Sequence, residues 1–241
     1  MRLLSWNIQS GGGARIPRIV EEISAYDPDV IAVTEFRAGL GVALYAAMKE
    51  IGLPDVETTN PTGNRDGIAV FSRTPMRRKP SPVPDCWLHI DLPEHGFGVG
   101  VLRIMAAGSS AKAPATIAKT RFWDSVLQAA EHRLREPIML VGDWNTGAHR
   151  LDEVGKTFIC SEHFAELSAM GWTDLWRHHN PGVTEYTWHS KFKGGARRNG
   201  FRVDHAFATP SLLSRISACR YSHGERDAGV SDHSMVIVEV E

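Results

Sequence analysis

Residues 137–145 read PIMLVGDWN, and this stretch predicts a buried strand that ends in two polar side chains. The apolar run from Ile138 to Val141, bounded by a proline and a glycine, is typical of a strand inside a sheet. Asp143 and Asn145 follow where this strand must end. Because side chains alternate along an extended chain, these two can face one cleft. A polar turn that ends the strand and caps a helix is the alternative, since Asp and Asn are common turn formers.

The hydrophobic pattern of the whole chain favours a single α/β domain spanning residues 1–241. Strand-like runs outnumber helical ones and come in hairpin-like order, which favours two packed sheets with helices outside. No internal repeat and no linker is evident, and residues 58–66 predict a polar loop. The predicted strands are residues 2–8, 29–34, 67–72, 86–91, 98–105, 138–141, 201–208, 214–221 and 235–240. The predicted helices are residues 16–23, 40–51, 116–134 and 162–170.

The overall charge does not indicate a protein that binds polyanions. The 27 Lys and Arg residues nearly balance the 28 Asp and Glu residues, so the formal net charge is −1. Binding to nucleic acid would therefore need local cationic clusters or a bound metal ion. Two such clusters lie in residues 73–79 and 191–198, although short runs of charge are most often solvated loops.

The cysteine content and the distribution of apolar residues favour a cytoplasmic protein. The three cysteines are widely spaced, which argues against a disulfide framework and against a clustered-cysteine zinc site. The first residues, MRLLSWN, become polar too soon for a signal peptide. No run approaches the roughly 18 to 20 apolar residues that a membrane span needs. We therefore expect a protein of a reducing compartment that does not contact a membrane.

Polar side chains lie at the ends of four predicted strands. Carboxylates gathered in one place repel each other and raise one another's pKa unless a cation holds them. Oxygen ligands of this kind suit Mg²⁺ or Mn²⁺ rather than zinc. The sequence therefore predicts a magnesium site beside a histidine, with manganese as the alternative ion. The residues involved are Asn7, Glu35, Asp143, Asn145, Asp232 and His233, together with Asp204 inside a predicted strand.

Six short motifs occur in a fixed order between residues 3 and 240. They are WNI, TE at a strand end, GIAVFSR, GDWN, RVDH and SDH. Each is weak alone, but their order resembles the endonuclease/exonuclease/phosphatase superfamily, and most of all exonuclease III and the apurinic/apyrimidinic endonucleases. The resemblance implies a four-layer α/β sandwich, in which two mixed β-sheets pack face to face with helices outside. It also implies an active site at one end of the sandwich.

The resemblance further implies a set of metal ligands. Glu35 would be the principal ligand, Asn7 would help directly or through a water molecule, and Asp232 would be an auxiliary acid near the ion. Thr34 stands where the family has a Gln before the metal-binding Glu, a polar exchange that leaves the ligand intact.

By the same resemblance, four residues would share the chemistry. Asp143 would orient or deprotonate the attacking water, and Asn145 would hydrogen-bond the scissile phosphate. Asp204 would pair with His233, which would face the phosphate. Hydrolysis of a phosphodiester needs its negative charge offset, an in-line water and a stabilised leaving oxygen, and this set supplies them.

One expected phosphate contact is missing from the sequence. The relatives carry a Tyr or His for this contact after the strand that corresponds to residues 98–105. This chain has AAGSSAK at residues 106–112. Lys112 or a serine hydroxyl is therefore the candidate replacement donor.

Residues 186–202 give the best indication of the substrate. Aromatic and cationic side chains interleave there, and cations contact phosphates while aromatic rings stack on bases. By resemblance, Trp188 and Phe201 match aromatic residues that line the abasic pocket, with Lys191 and Arg198 as cationic contacts. Burial of one or both rings in the core is the alternative.

The resemblance as a whole implies a magnesium-dependent phosphodiesterase that acts as a monomer on duplex DNA, damaged duplex included. It would be an abasic-site endonuclease, a 3′ exonuclease, or both, in DNA repair. The alternatives are a phosphodiesterase or phosphatase on RNA or on a small phosphorylated substrate, and a non-catalytic binding module on the same fold.

Overall fold

Two β-sheets occupy the centre of the computed structural model, which describes residues 1–106, 113–191 and 197–241, with only the backbone of Leu40 and Arg197. The strands in chain order are β1 (Arg2–Asn7), β2 (Val30–Phe36), β3 (Asp55–Thr58), β4 (Gly67–Ser72), β5 (Arg77–Lys79), β6 (Trp87–Leu92), β7 (Phe97–Arg103), β8 (Ile138–Asp143), β9 (Thr173–Asp174), β10 (Trp188–Lys191), β11 (Arg197–Phe201), β12 (Asp204–Ala208), β13 (Ile216–Ser222) and β14 (Met235–Val240).

Each sheet has six strands and is mixed. The order in the first sheet is β13-β14-β1-β2-β4-β3, and the order in the second is β5-β6-β7-β8-β12-β9. One pair in each sheet is parallel, namely β1 with β2 and β7 with β8, and the other pairs are antiparallel. The strands β10 and β11 form a separate two-stranded ribbon.

The four longest helices cover the outer faces of the sheets. None within the described residues is both long enough and apolar enough to span a membrane. The helices are α1 (Ile16–Ala25), α2 (Ala38–Glu50), α3 (Pro114–Arg133), α4 (Ser161–Ala169), α5 (Leu175–His179), α6 (Pro210–Leu213) and α7 (Gly224–Asp227), and a short 3₁₀ turn (Gly13–Arg15) precedes α1.

Three apolar clusters separate the layers. The central cluster contains Leu3 of the first sheet and Val141 of the second, so it lies between the two sheets. The neighbouring residues face outward, because side chains alternate along a strand. Leu4 packs with residues of α1 and α2, and Leu140 packs with residues of α3 and α4. The order helix, sheet, sheet, helix confirms the predicted four-layer α/β sandwich.

The strand predicted at residues 201–208 is wrong in one respect, because it is interrupted at Arg202. The Arg202 side chain is 1% exposed. It donates from Nε to Asp152 Oδ1 over 2.7 Å and from Nη1 to Asp174 Oδ1 over 3.2 Å. This inward turn separates β11, which ends at Phe201, from β12, which begins at Asp204. Asp204 is therefore the first residue of a strand rather than an interior one.

Four short strands, β3, β5, β9 and β10, and all of β11 except Phe201 were not predicted from the hydrophobic pattern. The sequence of β5 is RRK, and all three residues are exposed at the edge of the second sheet. Edge strands commonly carry charge, which blocks pairing with other chains and hides the strand from a hydrophobic pattern. The predicted polar loop at residues 58–66 begins one residue later than expected because Thr58 ends β3.

His205 of β12 is enclosed by aromatic rings in the layer between the second sheet and its helices. Its ring centroid lies 5.2 Å from that of Trp144 and 4.8 Å from that of Phe164. The Nε2 atom lies 2.8 Å from the carbonyl oxygen of Thr146, so it carries the proton of a neutral ring. Burial is the largest cause that lowers the pKa of His205, to about 4.

The stability of the fold should therefore fall in mild acid. Unfolding releases His205 to its ordinary pKa of about 6.5, so the unfolded chain binds more protons as the pH falls from about 6.5 toward 4. The free energy of unfolding should lose on the order of 1 kcal/mol from this residue between about pH 6.5 and about pH 5. Urea titrations of wild type and His205→Phe should show a shallower pH dependence in the variant. The exposed His132→Gln variant should behave as wild type, and equal slopes in all three proteins would contradict the assignment.

Candidate active site

Strand register brings two carboxylates together at one end of the second sheet. Asp143 is the last residue of β8 and Asp204 is the first of β12, and the antiparallel register pairs these residues directly. Both side chains are buried. Like charges directly opposite each other on neighbouring strands are destabilising unless another group compensates them.

His233, which precedes β14 by two residues, supplies the compensating charge. Its Nδ1 lies 2.9 Å from Oδ2 and 3.2 Å from Oδ1 of Asp204. One side-chain atom each of Asp143, Asp204 and His233 lies within 4.8 Å of the other two. Burial lowers the pKa of His233, but Asp204 above all, with Asp143 and Asp232, outweighs burial and raises it to about 10. The ring is therefore an imidazolium at neutral pH, and its Nδ1–H donates to Asp204.

Asp143 lies in surroundings that favour its protonated form. Burial is the largest cause that raises its pKa, and Asp204 raises it further. His233 and hydrogen bonds from Asn7 and Asn145 act in the opposite direction, and the resulting pKa is about 7. A carboxyl group with a pKa near neutrality can both accept and release a proton at pH 7.

Asn7 connects the two sheets at this point. It ends β1, and its Nδ2 donates to Asp143 Oδ2 over 3.0 Å and to Glu35 Oε1 over 3.1 Å. Its Oδ1 accepts from the backbone N–H of Gln9 at 2.9 Å, which fixes the orientation of the amide. The Nε2 atom of His233 lies 3.4 Å from Asn7 Nδ2, but both groups are donors when the ring is charged. The Nε2 proton of His233 therefore needs a different acceptor.

Glu35 reaches the site through an irregularity in β2. The pairing of β2 with β4 shifts its register between Thr34 and Phe36, and Glu35 has a φ of 57°, in the left-handed region. A bulge of this kind re-aims a side chain, and such a backbone costs roughly 1–3 kcal/mol for a residue other than glycine. Glu35 Oε2 accepts from the backbone N–H of Ser10 at 2.6 Å. No cationic side chain pairs with this half-buried carboxylate within the described part of the chain.

Asn145 also has a left-handed backbone, with a φ of 48°. Its Nδ2 donates to the Ile104 carbonyl over 2.8 Å and to Asp143 Oδ2 over 3.1 Å, so both amide hydrogens are engaged. The backbone carbonyl oxygen of Asn145 accepts a hydrogen bond from Lys119 Nζ at 2.6 Å. Burial is the largest influence on Lys119 and lowers its pKa to about 8, although Cys160 and Asp143 act to raise it.

Lys119 is the neighbour of the site that the sequence reasoning missed. It lies on α3 and is buried, as are Phe122, Trp123 and Val126 of the same helix. The spacing of these residues places Lys119 on the apolar stripe of an amphipathic helix. A lysine on such a stripe indicates a buried ammonium group with a specific acceptor, because lysine is almost never buried unless it is paired.

The two aromatic residues predicted to bind substrate meet beside His233. The ring centroids of Trp188 and Phe201 are 5.8 Å apart, and that of Trp188 is 6.4 Å from that of His233. Trp188 Nε1 donates to Asp232 Oδ2 over 3.1 Å. Both aromatic side chains are half-buried. The alternative that these rings are enclosed in the core is therefore wrong.

The remaining predicted substrate and metal contacts are exposed, half-buried or outside the described residues. Lys191 and Arg198 are exposed on the β10–β11 ribbon. Asp232 is half-buried and contributes to the raised pKa of His233. Lys112 and the serines at 109 and 110 lie outside the described residues.

The arrangement fits a hard divalent cation. Glu35 and Asp143 approach the same amide nitrogen of Asn7, and two carboxylates this close favour a bound cation. The described residues also contain a group of three side chains close enough to hold a metal ion, namely Asp143, Asp204 and His233. Because the His233 ring is protonated and paired with Asp204, it suits a role as a charge partner better than one as a ligand.

Comparison with known structures gives relatives of the same fold. An AP endonuclease from Archaeoglobus fulgidus superposes with a TM-score of 0.86 at 18% identity, covering 100% of this chain and 99% of that chain. A 3′-5′ exonuclease (NExo) from Neisseria meningitidis gives a TM-score of 0.83 at 19% identity, with 100% of each chain covered. A 3′ phosphatase NExo from Neisseria, bound to a product DNA hairpin, gives 0.84 at 20% identity, covering 100% of this chain and 99% of that chain.

Sequence comparison gives the family. No curated protein matched the chain. The sequence profile of the endonuclease/exonuclease/phosphatase family matches residues 4–233, which include every residue of the site from Asn7 to His233. The chain therefore belongs to the endonuclease/exonuclease/phosphatase family and is, by that membership, a phosphodiester hydrolase.

Proposed function

We propose that the chain is a metal-dependent phosphodiesterase that hydrolyses DNA, as an abasic-site endonuclease, a 3′ exonuclease, or both, in DNA repair. The buried group of Asp143, Asp204 and His233, connected to Glu35 through Asn7, carries this proposal. It combines a proton acceptor, the positive charge of His233 and candidate ligands for a metal ion at one end of the two sheets. Three structures of the same fold are described as an AP endonuclease, a 3′-5′ exonuclease, and a 3′ phosphatase bound to product DNA, which supports DNA as the substrate.

We also propose that the protein works as a monomer in the cytoplasm. All three cysteines are unpaired thiols, which supports a reducing compartment.

In the proposed reaction, His233 contacts the scissile phosphate. Its Nδ1–H is held by Asp204, and its Nε2–H faces an amide group of Asn7 that cannot accept it. A phosphate oxygen would provide the acceptor that Nε2–H needs. A charged donor that is already oriented before substrate binds stabilises the charge that develops on the phosphate during the attack of water.

Asp143 is the proposed proton acceptor for the attacking water. The Asn145 backbone N–H and side-chain Nδ2 each donate to its carboxylate over 3.1 Å, which holds it in one orientation. With a pKa of about 7, part of the population is ionised at neutral pH and can take a proton. As water adds to phosphorus its proton passes to Asp143, and the bond from phosphorus to the leaving oxygen breaks. The leaving oxygen keeps the bonding electron pair and takes a proton from solvent, which gives an alcohol and a phosphate monoester.

The proposed contact between Asn145 and the phosphate needs a local exchange. Both amide hydrogens are already used, one by Ile104 and one by Asp143. The amide would give up its bond to Asp143 and donate to a phosphate oxygen instead. The same exchange removes one hydrogen bond from the Asp143 carboxylate and makes it a better proton acceptor.

Glu35 is the proposed principal ligand of Mg²⁺, with Mn²⁺ as the alternative ion. Asn7 would help to hold the ion, directly or through a water molecule, and Asp232 would be an auxiliary acid nearby. In the structure Asn7 Nδ2 donates to Glu35 Oε1, which orients that carboxylate. When bound, the ion supplies positive charge beside the phosphate and offsets the repulsion between the carboxylates.

The surface beside the catalytic group supports a nucleic-acid substrate. Trp188 and Phe201 are half-buried and lie next to His233, where a base or a deoxyribose could contact their open faces. Lys191 and Arg198 are exposed on the ribbon that carries these rings, and cationic side chains there could contact further phosphates of a strand.

The purified protein should cleave DNA in the presence of magnesium. We expect incision of a duplex that contains an abasic analogue, or shortening of a duplex with a recessed 3′ end. Asp143→Ala should lower the rate by at least about 100-fold, because it removes the proton acceptor. Asp124→Ala, a change of an exposed carboxylate on α3, is the control and should match wild type.

The same assay includes single-stranded RNA, a 3′-phosphate end and bis(p-nitrophenyl) phosphate. Turnover of the small ester without cleavage of any DNA would contradict the DNA assignment. No turnover of any substrate, with magnesium or with manganese, would favour a binding module.

Glu35→Gln should weaken the binding of the metal ion. A neutral amide is a poorer ligand for a hard cation than a carboxylate, so the magnesium concentration for half-maximal activity should rise by about tenfold or more. Manganese affinity, measured by electron paramagnetic resonance, should fall in parallel. Glu21→Gln on the exposed face of α1 is the matched control. Equal metal affinity in Glu35→Gln and wild type would show that Glu35 is not a ligand.

In the Asp204→Asn variant, His233 should lose its positive charge at a lower pH than it does in wild type. In wild type Asp204 helps to raise the pKa of His233 to about 10, so the imidazolium persists until the pH approaches that value. Without the Asp204 carboxylate, burial favours the neutral ring and the cation is lost at a lower pH. We expect kcat at neutral pH to fall by about 100-fold. The alkaline limb of the plot of kcat against pH should move to lower pH. An NMR titration of His233 checks this directly, and an unchanged pKa would contradict the pairing.

A further inference from the structure

The loop that follows Asn145 exposes two aliphatic side chains. Leu151 is 53% exposed and Val154 is 78% exposed. Single exposed aliphatic residues are normal on protein surfaces, but two within four residues of an ordered loop form a local apolar surface. The two carboxylic acids between them, Asp152 and Glu153, are buried. The loop therefore presents its apolar side chains to solvent and turns its acidic ones inward.

Asp152 fixes one side of this loop. Its carboxylate accepts from the backbone N–H of Ala148 at 2.8 Å, from Arg202 Nε at 2.7 Å and from Arg177 Nη2 at 2.9 Å. Burial would raise the pKa of Asp152, but Arg202 outweighs burial and lowers it, so the group is charged at neutral pH.

Glu153 fixes the other side. Its carboxylate accepts from the backbone N–H groups of Thr157 at 2.8 Å and Phe158 at 3.0 Å, and it lies 2.8 Å from His149 Nδ1. With both carboxylates anchored, residues 149–158 are held in one conformation. A surface that is ordered before binding loses little conformational entropy when a partner docks on it.

The loop lies against the candidate active site. The backbone of Glu153 forms a β-bridge with Phe201, and Arg202 N–H donates to the Asp152 carbonyl over 2.8 Å. Phe201 in turn packs on Trp188, whose ring lies beside His233. The exposed side chains of the loop are thus connected to the catalytic group through the aromatic pair.

Two cations flank the apolar side chains. Arg150 and Lys156 are exposed, and neither forms an ion pair with any carboxylate that the structure describes. The negative charges of the same loop are neutralised in the interior or bound by backbone N–H groups. The solvent-facing surface of residues 150–156 therefore carries two positive charges around an apolar centre.

We propose that residues 149–156 form a second DNA-contacting element, in which Leu151 and Val154 press against the bases in a groove of the duplex and Arg150 and Lys156 contact the flanking phosphates. This inference rests on the proposed DNA hydrolysis at Asp143. Apolar side chains that wedge into a base step, flanked by cations, are a recurring way of unstacking and bending duplex DNA. Unstacking beside the candidate active site would help a nucleotide to reach the catalytic group.

A duplex that carries 2-aminopurine next to an abasic analogue tests the proposal on the full chain. The fluorescence of 2-aminopurine rises when the base unstacks, and EDTA in the buffer prevents turnover. Wild type should raise the fluorescence severalfold on binding. The double variant Leu151→Ser/Val154→Ser should lose most of this rise and bind the duplex about tenfold more weakly.

The charged pair has a separate signature. Arg150→Gln/Lys156→Gln should bind more weakly at low salt, and the slope of log Kd against log salt concentration should fall by about 2, because two phosphate contacts are removed. The rise in 2-aminopurine fluorescence at saturating protein should persist in this variant, since the apolar side chains are unchanged.

Val42→Ser is the matched control, because Val42 is 77% exposed on α2 in the outer helix layer. It should bind and unstack the duplex as wild type does, and all variants should keep a wild-type melting temperature, since exposed substitutions change stability little. A Leu151→Ser/Val154→Ser protein that equals a DNA-cleaving wild type in affinity and fluorescence would overturn this inference alone. A wild type that neither binds nor cleaves DNA would overturn it together with the proposed function.

Discussion

The site depends on one imidazolium between two buried carboxylates. Antiparallel register places Asp143 opposite Asp204, and two negative charges in so dry a place would cost several kcal/mol each without compensation. His233 pairs with Asp204, and Asp143 is left with a pKa of about 7. One arrangement therefore makes this end of the sheet stable and sets the chemistry that Asp143 can perform. Neither property can be changed by mutation without affecting the other.

Both sheets must be packed together before the site exists. The second sheet contributes Asp143 and Asp204, whereas the first contributes Asn7 and Glu35. His233 also belongs to the side of the first sheet, because it lies two residues before β14, a strand of that sheet. The amide of Asn7 spans the gap between the layers with hydrogen bonds of 3.0 and 3.1 Å. A small shift of one sheet against the other would break these bonds. The central apolar cluster, which fixes the spacing of the sheets, therefore also fixes the geometry of the site.

The strand ends and their polar residues could be predicted from the sequence, because an apolar run followed by Asp or Asn is a local signal. The order of the motifs added the four-layer fold, which no local pattern contains. The interruption at Arg202 could not be predicted, since it depends on Asp152 and Asp174, far away along the chain. The same holds for Lys119, whose acceptor is a carbonyl group in another element. The engaged amide of Asn145 is likewise visible only once its partners are placed.

In residues 151–154 two buried acidic residues lie between two exposed aliphatic ones, and the two kinds of residue have different tasks. Asp152 and Glu153 hold the loop backbone. Loss of Asp152 would also disturb the start of the strand that carries Asp204, because Arg202 binds Asp152 and lies two residues before Asp204. Leu151 and Val154 support nothing in the interior and are open to substitution. Under the proposed contact with DNA, substitutions at these two positions alone would change the preferred form of nucleic acid at almost no cost in folding stability.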